Sequence, residues 1–414
     1  MNEYSNDTQK GTRMGDVYMK KSVYMDNNAT TYMKKEVLEA MLPYYTTYFG
    51  NASSKFYQVG RDAESAVLKF RETVAKAIGA NTNELYFTAS GCEADNWAIK
   101  GIADAYRRKG NHIITSSIEH HAVLNTCEFL EKHGYEVTYL PVDEYGRVNP
   151  EDVEKAITDK TILISIMTAN NEIGTIQPIA EISKIAKAHK IIFHTDAVQA
   201  IGHMKINVDD LGVDLLSLSG HKFHGPKGMG ALYIRKGIRI SNLIHGGGQE
   251  RGKRAATENV AGMAGLAKAI EIANAELDEN TAKMTELRDM LISGIRERIP
   301  YCRLNGPEGS DRLCNNVNFS FQYIEGESIL MLLDMKGVAA SSGSACASGS
   351  LDPSHVLLAI GLPHEIAHGS LRLSIGDDTT KEDVDYVLEV LPPIIQRLRD
   401  MSPLYEEVLH KDEA

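Results

Sequence analysis

Six short apolar runs between residues 84 and 219 constrain the fold of this chain more than any other feature. The runs lie near residues 84–88, 112–116, 136–140, 161–167, 191–195 and 215–219, and helical segments fill most of the intervals. Because strands that alternate with helices pair in parallel and carry helices on both faces, the pattern predicts a doubly wound α/β domain. Ligands of such domains bind at the carboxyl ends of the strands.

Outside these runs the pattern is mostly helical and ends in shorter strands. The segments with apolar residues at helical spacing are 35–48, 61–78, 257–277 and 280–298. The later strands are predicted near residues 317–321, 338–341 and 371–375. We therefore expect a smaller α+β domain after the large one, with the break near residue 275.

The length of 414 residues favours two or three domains. Hydrophobic residues make up 43% and charged residues 24% of the chain, as in ordinary globular proteins. No apolar run is long enough to cross a bilayer, and the N-terminus lacks the apolar core of a signal peptide, so we expect a cytoplasmic protein. Residues 1–22 are polar and without periodicity, and are expected to form a disordered tail.

Net charge and cysteine usage exclude several classes of protein. The formal net charge is −12, from 44 basic and 56 acidic residues, which gives no electrostatic basis for nucleic-acid binding. The five cysteines include no C-x-x-C pair, which argues against a disulfide framework, a zinc ribbon or a cluster-ligating run. Reduced thiols are expected, and neither a nucleic acid nor a membrane is expected as a partner.

Lys222 is the residue on which we expect the chemistry to centre. It follows the apolar run 215–219, and the glycines and the proline around it exclude a helix. A lysine at the end of a buried strand is costly to desolvate unless its amine is neutralised, paired or covalently bound. Lys222 is therefore a candidate Schiff-base lysine, and a solvated lysine on a surface turn is the alternative.

Asp196 and Gln199 lie three residues apart at the end of the preceding strand, where they can face one ligand. In a pyridoxal phosphate (PLP) site, a carboxylate keeps the ring nitrogen protonated so that the ring can accept electrons. We assign that role to Asp196, and to Gln199 a hydrogen bond with the phenolic oxygen of the ring. A helix N-cap is the alternative for Asp196 alone.

A phosphate site is indicated at residues 87–96, where a strand end and a turn of small residues lead into a helix. The N–H groups and the dipole of a helix N-terminus favour an anion. Gly91 and Cys92 are the expected contacts, and a simple turn is the alternative.

Six blocks of sequence resemble those of the NifS/IscS-type cysteine desulfurases, which are PLP enzymes that take sulfur from L-cysteine and leave alanine. The blocks are YMDNNATT at 24–31, EHHAVL at 119–124, NNEIG at 170–174, the pair Asp196 and Gln199, SGHKFHGPKG at 219–228, and SSGSAC at 341–346. They follow the order of the family from residue 24 to about residue 376. The resemblance therefore covers nearly the whole chain.

The resemblance implies the fold-type I PLP-dependent aminotransferase architecture, with a large PLP-binding domain at residues 32–275. The small domain would comprise residues 23–31 and 276–414 and would carry the catalytic cysteine loop. A homodimer with composite sites is also implied. In it, Thr257 of the glycine-rich loop at 246–257 would touch the phosphate of the neighbouring subunit's cofactor.

The same resemblance completes the phosphate cradle with Ser219 and His221. The family commonly has a threonine at the position of Cys92, so a thiol replaces a hydroxyl donor there. His221 and His224 have a spacing that could suggest zinc, but no third ligand follows at motif spacing, and no metal is expected.

Further roles implied by the resemblance concern the ring and the substrate. His120 would stack on the pyridine ring and move protons. Asn170 would contact both the cofactor and the substrate carboxylate. Arg372 alternates out of a short strand, and its guanidinium suits the carboxylate of an amino acid, with a surface salt bridge as the alternative. Asn28 is the third expected substrate contact.

Cys346 lies in a run of small residues at 341–350, which predicts an accessible thiol. The loop resembles the longer one of the NifS/IscS group. In the implied reaction the Lys222 amine removes the Cα proton of L-cysteine, and the Cys346 thiolate attacks the substrate sulfur. Alanine and a persulfide on Cys346 result, with His120 as the proton shuttle.

Two alternative functions remain at the level of sequence. A selenocysteine lyase or another PLP-dependent cysteine lyase would use the same cofactor site without depending on Cys346. A catalytically silent scaffold that only binds partners is disfavoured by the presence of Lys222, Asp196 and Cys346. The sulfur acceptor, such as an iron–sulfur cluster scaffold, is not identified by the sequence.

Overall fold

The computed structural model of the chain describes residues 22–342 and 353–406. Within these residues the strands form one large sheet and two small ones. The strands are β1 (Val23–Tyr24), β2 (Leu85–Thr88), β3 (His112–Ser116), β4 (Glu136–Leu140), β5 (Thr161–Ser165), β6 (Ile192–Asp196), β7 (Leu215–Ser219), β8 (Gly230–Ile234), β9 (Cys302–Leu304), β10 (Asn316–Phe321), β11 (Val338–Ala339) and β12 (Ser370–Ser374). Each apolar run predicted to be a strand contains one of them.

Helices occupy most of the intervals between the strands. They are α1 (Lys35–Met41), α2 (Pro43–Thr46), α3 (Gln58–Ala77), α4 (Gly91–Tyr106), α5 (His121–Glu131), α6 (Pro150–Ala156), α7 (Ile179–Ala188), α8 (Val208–Leu211), α9 (Gln249–Gly252), α10 (Val260–Ala275), α11 (Leu277–Arg298), α12 (Gly326–Asp334), α13 (His355–Ala359), α14 (His364–His368) and α15 (Lys381–Arg399). Among the described residues, none of these helices is both long and apolar enough to span a membrane. The helix predicted over residues 35–48 is instead two helices, because Pro43 has no N–H to donate to the preceding turn.

The large sheet has the strand order β2-β8-β7-β6-β5-β3-β4. All of its neighbouring pairs are parallel except those of β8, which runs antiparallel to β2 and β7. The sequence pattern did not indicate β8, because its short apolar run directly follows a loop rich in glycine. The chain passes outward from β3 to β4 and then in the opposite direction from β5 to β7. The crevice between β3 and β5 is therefore a topological switch point, where ligands of such sheets bind.

Successive residues of the central strands are buried on opposite faces of the large sheet. On one face, Ile113, Leu163 and Leu215 belong to a core shared with α4 and α5. Their neighbours Ile114, Ile164 and Leu216 belong to the core shared with α3 and α10 on the other face. Burial on both faces explains why the runs are apolar without alternation. The predicted doubly wound fold is confirmed.

A second core lies around the antiparallel sheet β12-β10-β9, against which α11 and α15 pack. The N-terminal strand β1 pairs in parallel with β11, and Asp26 bridges to Ser374 of β12. Helix α10 ends at Ala275 and α11 begins at Leu277. We propose that the small domain comprises residues 23–31 together with the chain from residue 276 onward. Residues 1–21, nearly all of the predicted tail, lie outside the described residues.

Candidate active site

A cavity of about 520 Å³ opens at the carboxyl ends of the central strands. Its wall combines side chains of the large sheet with others from residues 28–29 and from β12. The predicted site residues that line it are Asn28, Gly91, Cys92, His120, Asp196, Gln199, Ser219, His221, Lys222 and Arg372. The fold thus brings together residues from both ends of the chain.

Lys222 closes a short 3-10 turn, Gly220–Lys222, directly after β7. Its Nζ atom donates to the backbone oxygens of Asn28 at 2.5 Å and Ala29 at 2.9 Å. Two carbonyl groups therefore hold the amine at the cavity wall. A primary amine in this position can form a Schiff base with an aldehyde in the cavity.

Asp196, the last residue of β6, is 5% exposed, and its Oδ1 accepts from the N–H of Val198 at 2.8 Å. Burial raises the pKa of Asp196 to about 6, while the Val198 N–H and the charge of Lys222 act in the opposite direction. Gln199 donates from Nε2 to the Asn28 oxygen at 3.0 Å. Its buried Oε1 has no partner among the described residues, so a ligand group that donates a hydrogen bond would satisfy it.

His120 caps the N-terminus of α5, where its Nδ1 accepts from the N–H of Ala122 at 3.1 Å. The proton of the neutral ring is therefore on Nε2. Burial, followed by the nearby positive charge of Lys222, lowers the pKa of His120 to about 4. A neutral imidazole that carries its proton on Nε2 can stack on a ring and donate or exchange that proton.

The segment predicted to bind phosphate lies at the start of α4, where Ser90 is the N-cap and accepts from the N–H of Glu93 at 3.0 Å. A Cβ atom on Gly91 would lie 2.6 Å from Cγ2 of Val198, so only glycine allows the helix to begin this close to the cavity floor. The Cys92 side chain is exposed to the cavity, and burial of the thiol raises its pKa. It is therefore a weak neutral donor at this position.

Arg372 of β12 is 2% exposed, so the alternative of a surface salt bridge is wrong. Nη2 pairs with Oδ1 of Asp26 at 2.9 Å, and Nη1 donates to the backbone oxygen of Asn171 at 3.1 Å. Nε is buried without a partner among the described residues. The side chain of Asn28 bonds to Asn171 and to Asn315 within the protein, and its contact with a substrate stays a prediction.

Asn170 is not among the residues that line the cavity. Its side chain is fully buried behind the cavity wall, where Oδ1 accepts from the N–H groups of Glu172 at 2.9 Å and Ile173 at 3.0 Å. Nδ2 donates to the oxygen of Ile118 at 2.9 Å. Asn170 therefore holds the turn and Asn171 lines the cavity, while the contact of Asn170 with cofactor and substrate stays a prediction. The sequence feature that indicates this role is the position of Asn170 four residues before Gly174. An Asn at the start of such a turn accepts hydrogen bonds from the backbone N–H groups two and three residues later.

Thr257 does not line this cavity either, and the position of Cys346 is not described. Thr257 is exposed and lines a separate cavity of about 120 Å³ beside Thr88 and Arg254, so it does not reach the site of its own chain. Cys346 lies outside the described residues.

Sequence reasoning missed several groups in the cavity wall. They are Asp95, His121, Asn171, Glu172, Ser354 and His355. Glu172 accepts from the hydroxyl of Ser354, and burial raises its pKa to about 7. These contacts join segments that are remote in the sequence, so no local pattern could reveal them.

The residues present fit PLP. Lys222 offers an amine for the aldehyde of PLP, and Asp196 offers a carboxylate for the ring nitrogen. The start of α4, together with Ser219 and His221, provides hydrogen-bond donors for the phosphate. A bound ligand would explain two features of the cavity. Oε1 of Gln199 has no partner among the described residues, and Gly91 lies so close to Val198 that a Cβ atom has no room there. The fold and this lysine–carboxylate pair define a fold-type I PLP-dependent architecture.

Comparison with known proteins agrees with this architecture. The family model for class-V aminotransferases matches residues 23–387, and the chain belongs to that family. Cysteine desulfurase IscS of Clostridium botulinum (strain Hall) is 63% identical over 396 residues, which are 95% of this chain and 100% of the relative. Cysteine desulfurase IscS of Methanosarcina thermophila is 63% identical over 384 residues, 93% of this chain and 94% of the relative.

Solved structures show the same likeness. A NifS-like protein superposes with a TM-score of 0.86 at 41% identity, covering 91% of this chain and 100% of the other. SspA in complex with cysteine superposes with a TM-score of 0.76 at 39% identity, covering 87% of this chain and 100% of the other.

Proposed function

We propose that this chain is a PLP-dependent cysteine desulfurase, which converts L-cysteine to L-alanine and leaves a persulfide on Cys346. The observation that carries the proposal is the single cavity that holds the Lys222 amine, the buried Asp196 carboxyl and the Arg372 guanidinium. Relatives that are 63% identical over nearly the whole chain are named cysteine desulfurases, which supports the same activity here.

PLP, when bound, supplies an electron sink for the pair left by the Cα proton of the substrate. Lys222 would hold the cofactor and, once exchanged for the amino group of the substrate, take the Cα proton at Nζ. Asp196 would keep the proton on the ring nitrogen. Arg372, with Nε unpartnered among the described residues, would bind the substrate carboxylate, and Asn171 would line the same side.

The sulfur transfer balances without an external oxidant. The Cys346 thiolate attacks the sulfur of L-cysteine, an S–S bond forms and the bond between Cβ and sulfur breaks. The electron pair stays with the carbon skeleton, which is protonated to alanine, and His120, once it has taken up a proton, would pass one on from Nε2. Cysteine and one enzyme thiol thereby give alanine and one enzyme persulfide.

Segments on both sides of Cys346 support its role. Ser341 exchanges backbone hydrogen bonds with Arg372, and Ser342 is the last described residue before the cysteine. The described chain therefore reaches, at Ser341, a direct contact with Arg372 of the cavity wall, five residues before Cys346 in the sequence. Pro353 and Ser354 line the cavity where the described chain resumes.

A homodimer in the cytoplasm, with an iron–sulfur cluster scaffold as a sulfur acceptor, completes the proposal. Exposed aromatic side chains on the segment before α3 support a second copy as partner, because contiguous apolar surface favours association. Among them, Phe49, Phe56 and Tyr45 are exposed by 70%, 99% and 59%. Thr257 would then reach the cofactor of the partner.

Measurement of both products tests the function. Protein loaded with PLP is incubated with L-cysteine and a reductant, and alanine and sulfide are measured together. We expect equal amounts of the two, and none from Lys222→Ala, which lacks both the tether and the base. Alanine formation by Lys222→Ala at the wild-type rate would falsify the assignment. Release of selenide without dependence on Cys346 would favour the lyase alternative.

A further inference from the structure

A second buried carboxyl group lies in the wall of the cavity beside Asp196. Asp95 is on α4, one turn after Cys92, and is 1% exposed. Its Oδ1 has no hydrogen-bond partner among the described residues. A buried carboxyl group in a functional cavity needs either a countercharge or a proton.

His194 does not provide that countercharge. Its Nε2 is 3.6 Å from Oδ1 of Asp95, but both ring nitrogens already bond to serine hydroxyls. Nδ1 is 2.8 Å from Oγ of Ser165, and Nε2 is 3.0 Å from Oγ of Ser217. Burial of the ring lowers the pKa of His194 to about 3, so the imidazole is neutral.

These hydrogen bonds lie next to Asp196 on the same sheet. His194 and Asp196 are two residues apart on β6 and share one face of the sheet, and Ser217 of β7 is the register partner of Asp196. Helix α4 packs on this face. Asp95, His194, Ser217 and Asp196 therefore form one buried polar group behind the cavity, which we call the carboxyl pair network.

The charged groups around Asp95 do not stabilise a second negative charge. In the part of the chain that the structure describes, no lysine or arginine forms an ion pair with Asp95. Its charged or titratable neighbours are Asp196 and His194 of β6, Glu119 after β3, and Cys92 of its own helix, with Lys222 beyond Asp196. Two carboxylates that share one buried site cannot both ionise readily.

We propose that Asp95 is a positioning residue of the cofactor site, which stays neutral, forms a side-chain hydrogen bond with Ser217, and leaves Asp196 as the carboxylate that faces the ring nitrogen. Burial, and then repulsion by Asp196, raise the pKa of Asp95 well above its usual range. The proposal rests on the proposed function only in naming PLP as the ligand of Asp196.

Three variants of the PLP-loaded protein test it: Asp95→Asn, Asp95→Ala and Asp196→Asn. Asparagine has nearly the size of aspartic acid and, like a neutral Asp95 carboxyl group, can donate a hydrogen bond. We therefore expect Asp95→Asn to keep the PLP dissociation constant within about twofold and to keep the midpoint of the pH-dependent absorption change. Asp95→Ala leaves Ser217 without its carboxyl partner, so PLP is expected to bind about tenfold more weakly, with a shifted midpoint. Asp104→Asn, an exposed carboxyl on the same helix, is the matched control.

Infrared spectroscopy provides a direct readout. The wild type should show a protonated-carboxyl band that is missing from Asp95→Asn. Loss of PLP by Asp95→Asn as severe as that by Asp196→Asn would show that Asp95 is charged, and wild-type behaviour of Asp95→Ala would show that it does not position the site. Either result overturns the proposal. Failure of the wild type to bind PLP at all would instead overturn the proposed function, so the two failures are distinguishable.

Discussion

Arg254 donates two hydrogen bonds to the carboxylate of Glu93, from Nε to Oε1 at 2.8 Å and from Nη2 to Oε2 at 3.0 Å. Oε2 of Glu93 also accepts from the N–H of Ala89, in the turn before α4. Arg254 belongs to the loop that carries Thr257. The pair therefore ties the phosphate turn of the chain to the segment that would complete the cofactor site of a partner subunit.

Arg254→Gln is expected to weaken PLP retention, because one substitution loosens both the turn and the loop. A partly buried, bidentate ion pair contributes about 1–3 kcal/mol. The dissociation constant of PLP should therefore rise roughly five- to a hundredfold. The measurement is PLP release from the dimer. Because each substitution removes the same pair, Glu93→Gln with Arg254→Gln should cost little more than either change alone. Asp209→Asn, which breaks the more exposed pair with Arg235, is the control.

Cys92→Thr should retain PLP as well as the wild type or more tightly. The side chain is exposed to the cavity, and the amide of Asn96, at 3.7 Å from Sγ, is its described polar neighbour. A hydroxyl would add a stronger donor at the start of α4, at a gain of about one hydrogen bond, or roughly 1 kcal/mol. PLP affinity measured by dilution checks this. Weaker PLP binding by Cys92→Thr would mean that the methyl group of threonine collides with the ligand.

The adjacent asparagines 170 and 171 should behave differently when changed to alanine. Asn170→Ala removes the acceptor for two buried N–H groups and should lower the free energy of unfolding by about 2–4 kcal/mol. Asn171→Ala should leave stability nearly unchanged and raise the KM for L-cysteine. Urea unfolding and steady-state kinetics on both variants separate the roles. Equal loss of stability in the two would contradict the assignment of the turn to Asn170.

Glu119 gives the apo-protein a pH-dependent stability. Burial raises its pKa to about 8, although Ser116 and the N–H of Met167 act in the opposite direction. The folded state keeps a proton that the unfolded state releases above its ordinary pKa near 4.5. Stability from this group is therefore complete below about pH 4.5 and is lost as the pH rises to about 8. Glu119→Gln should raise Tm relative to the wild type more at pH 8 than at pH 5, and the exposed Glu128→Gln should not.

The strand ends could be predicted because they depend on local pattern. Lys222, Asp196 and His120 each follow an apolar run, and parallel strands bring their carboxyl ends together. Asp95 could not be found in this way, because its role arises where α4 packs on β6, about a hundred residues later in the chain. Asn170 and Asn171 are chemically identical, so their roles differ only through the direction in which the turn points each side chain. The break of the first helix could have been found from Pro43 alone.

Cys346→Ser separates the two halves of the proposed chemistry. Binding of PLP and loss of the Cα proton depend on Lys222, Asp196 and His120, which the substitution does not change. PLP content and the absorption change on adding L-cysteine should therefore equal those of the wild type. Serine is far less ionised and less nucleophilic than cysteine at neutral pH, so the attack on the substrate sulfur should fail.

We expect alanine formation by Cys346→Ser to fall to background, with no persulfide detectable by alkylation and mass spectrometry. Cys302→Ser is the matched control, because Cys302 lies on β9 in the small sheet and is remote from the cavity wall. It should keep wild-type turnover. Full alanine production by Cys346→Ser would mean that an external thiol, such as the added reductant, takes the substrate sulfur in place of Cys346, because elimination of sulfide would give pyruvate and ammonia instead of alanine. The lyase alternative would then be preferred, and Lys222 would still hold the cofactor and take the Cα proton.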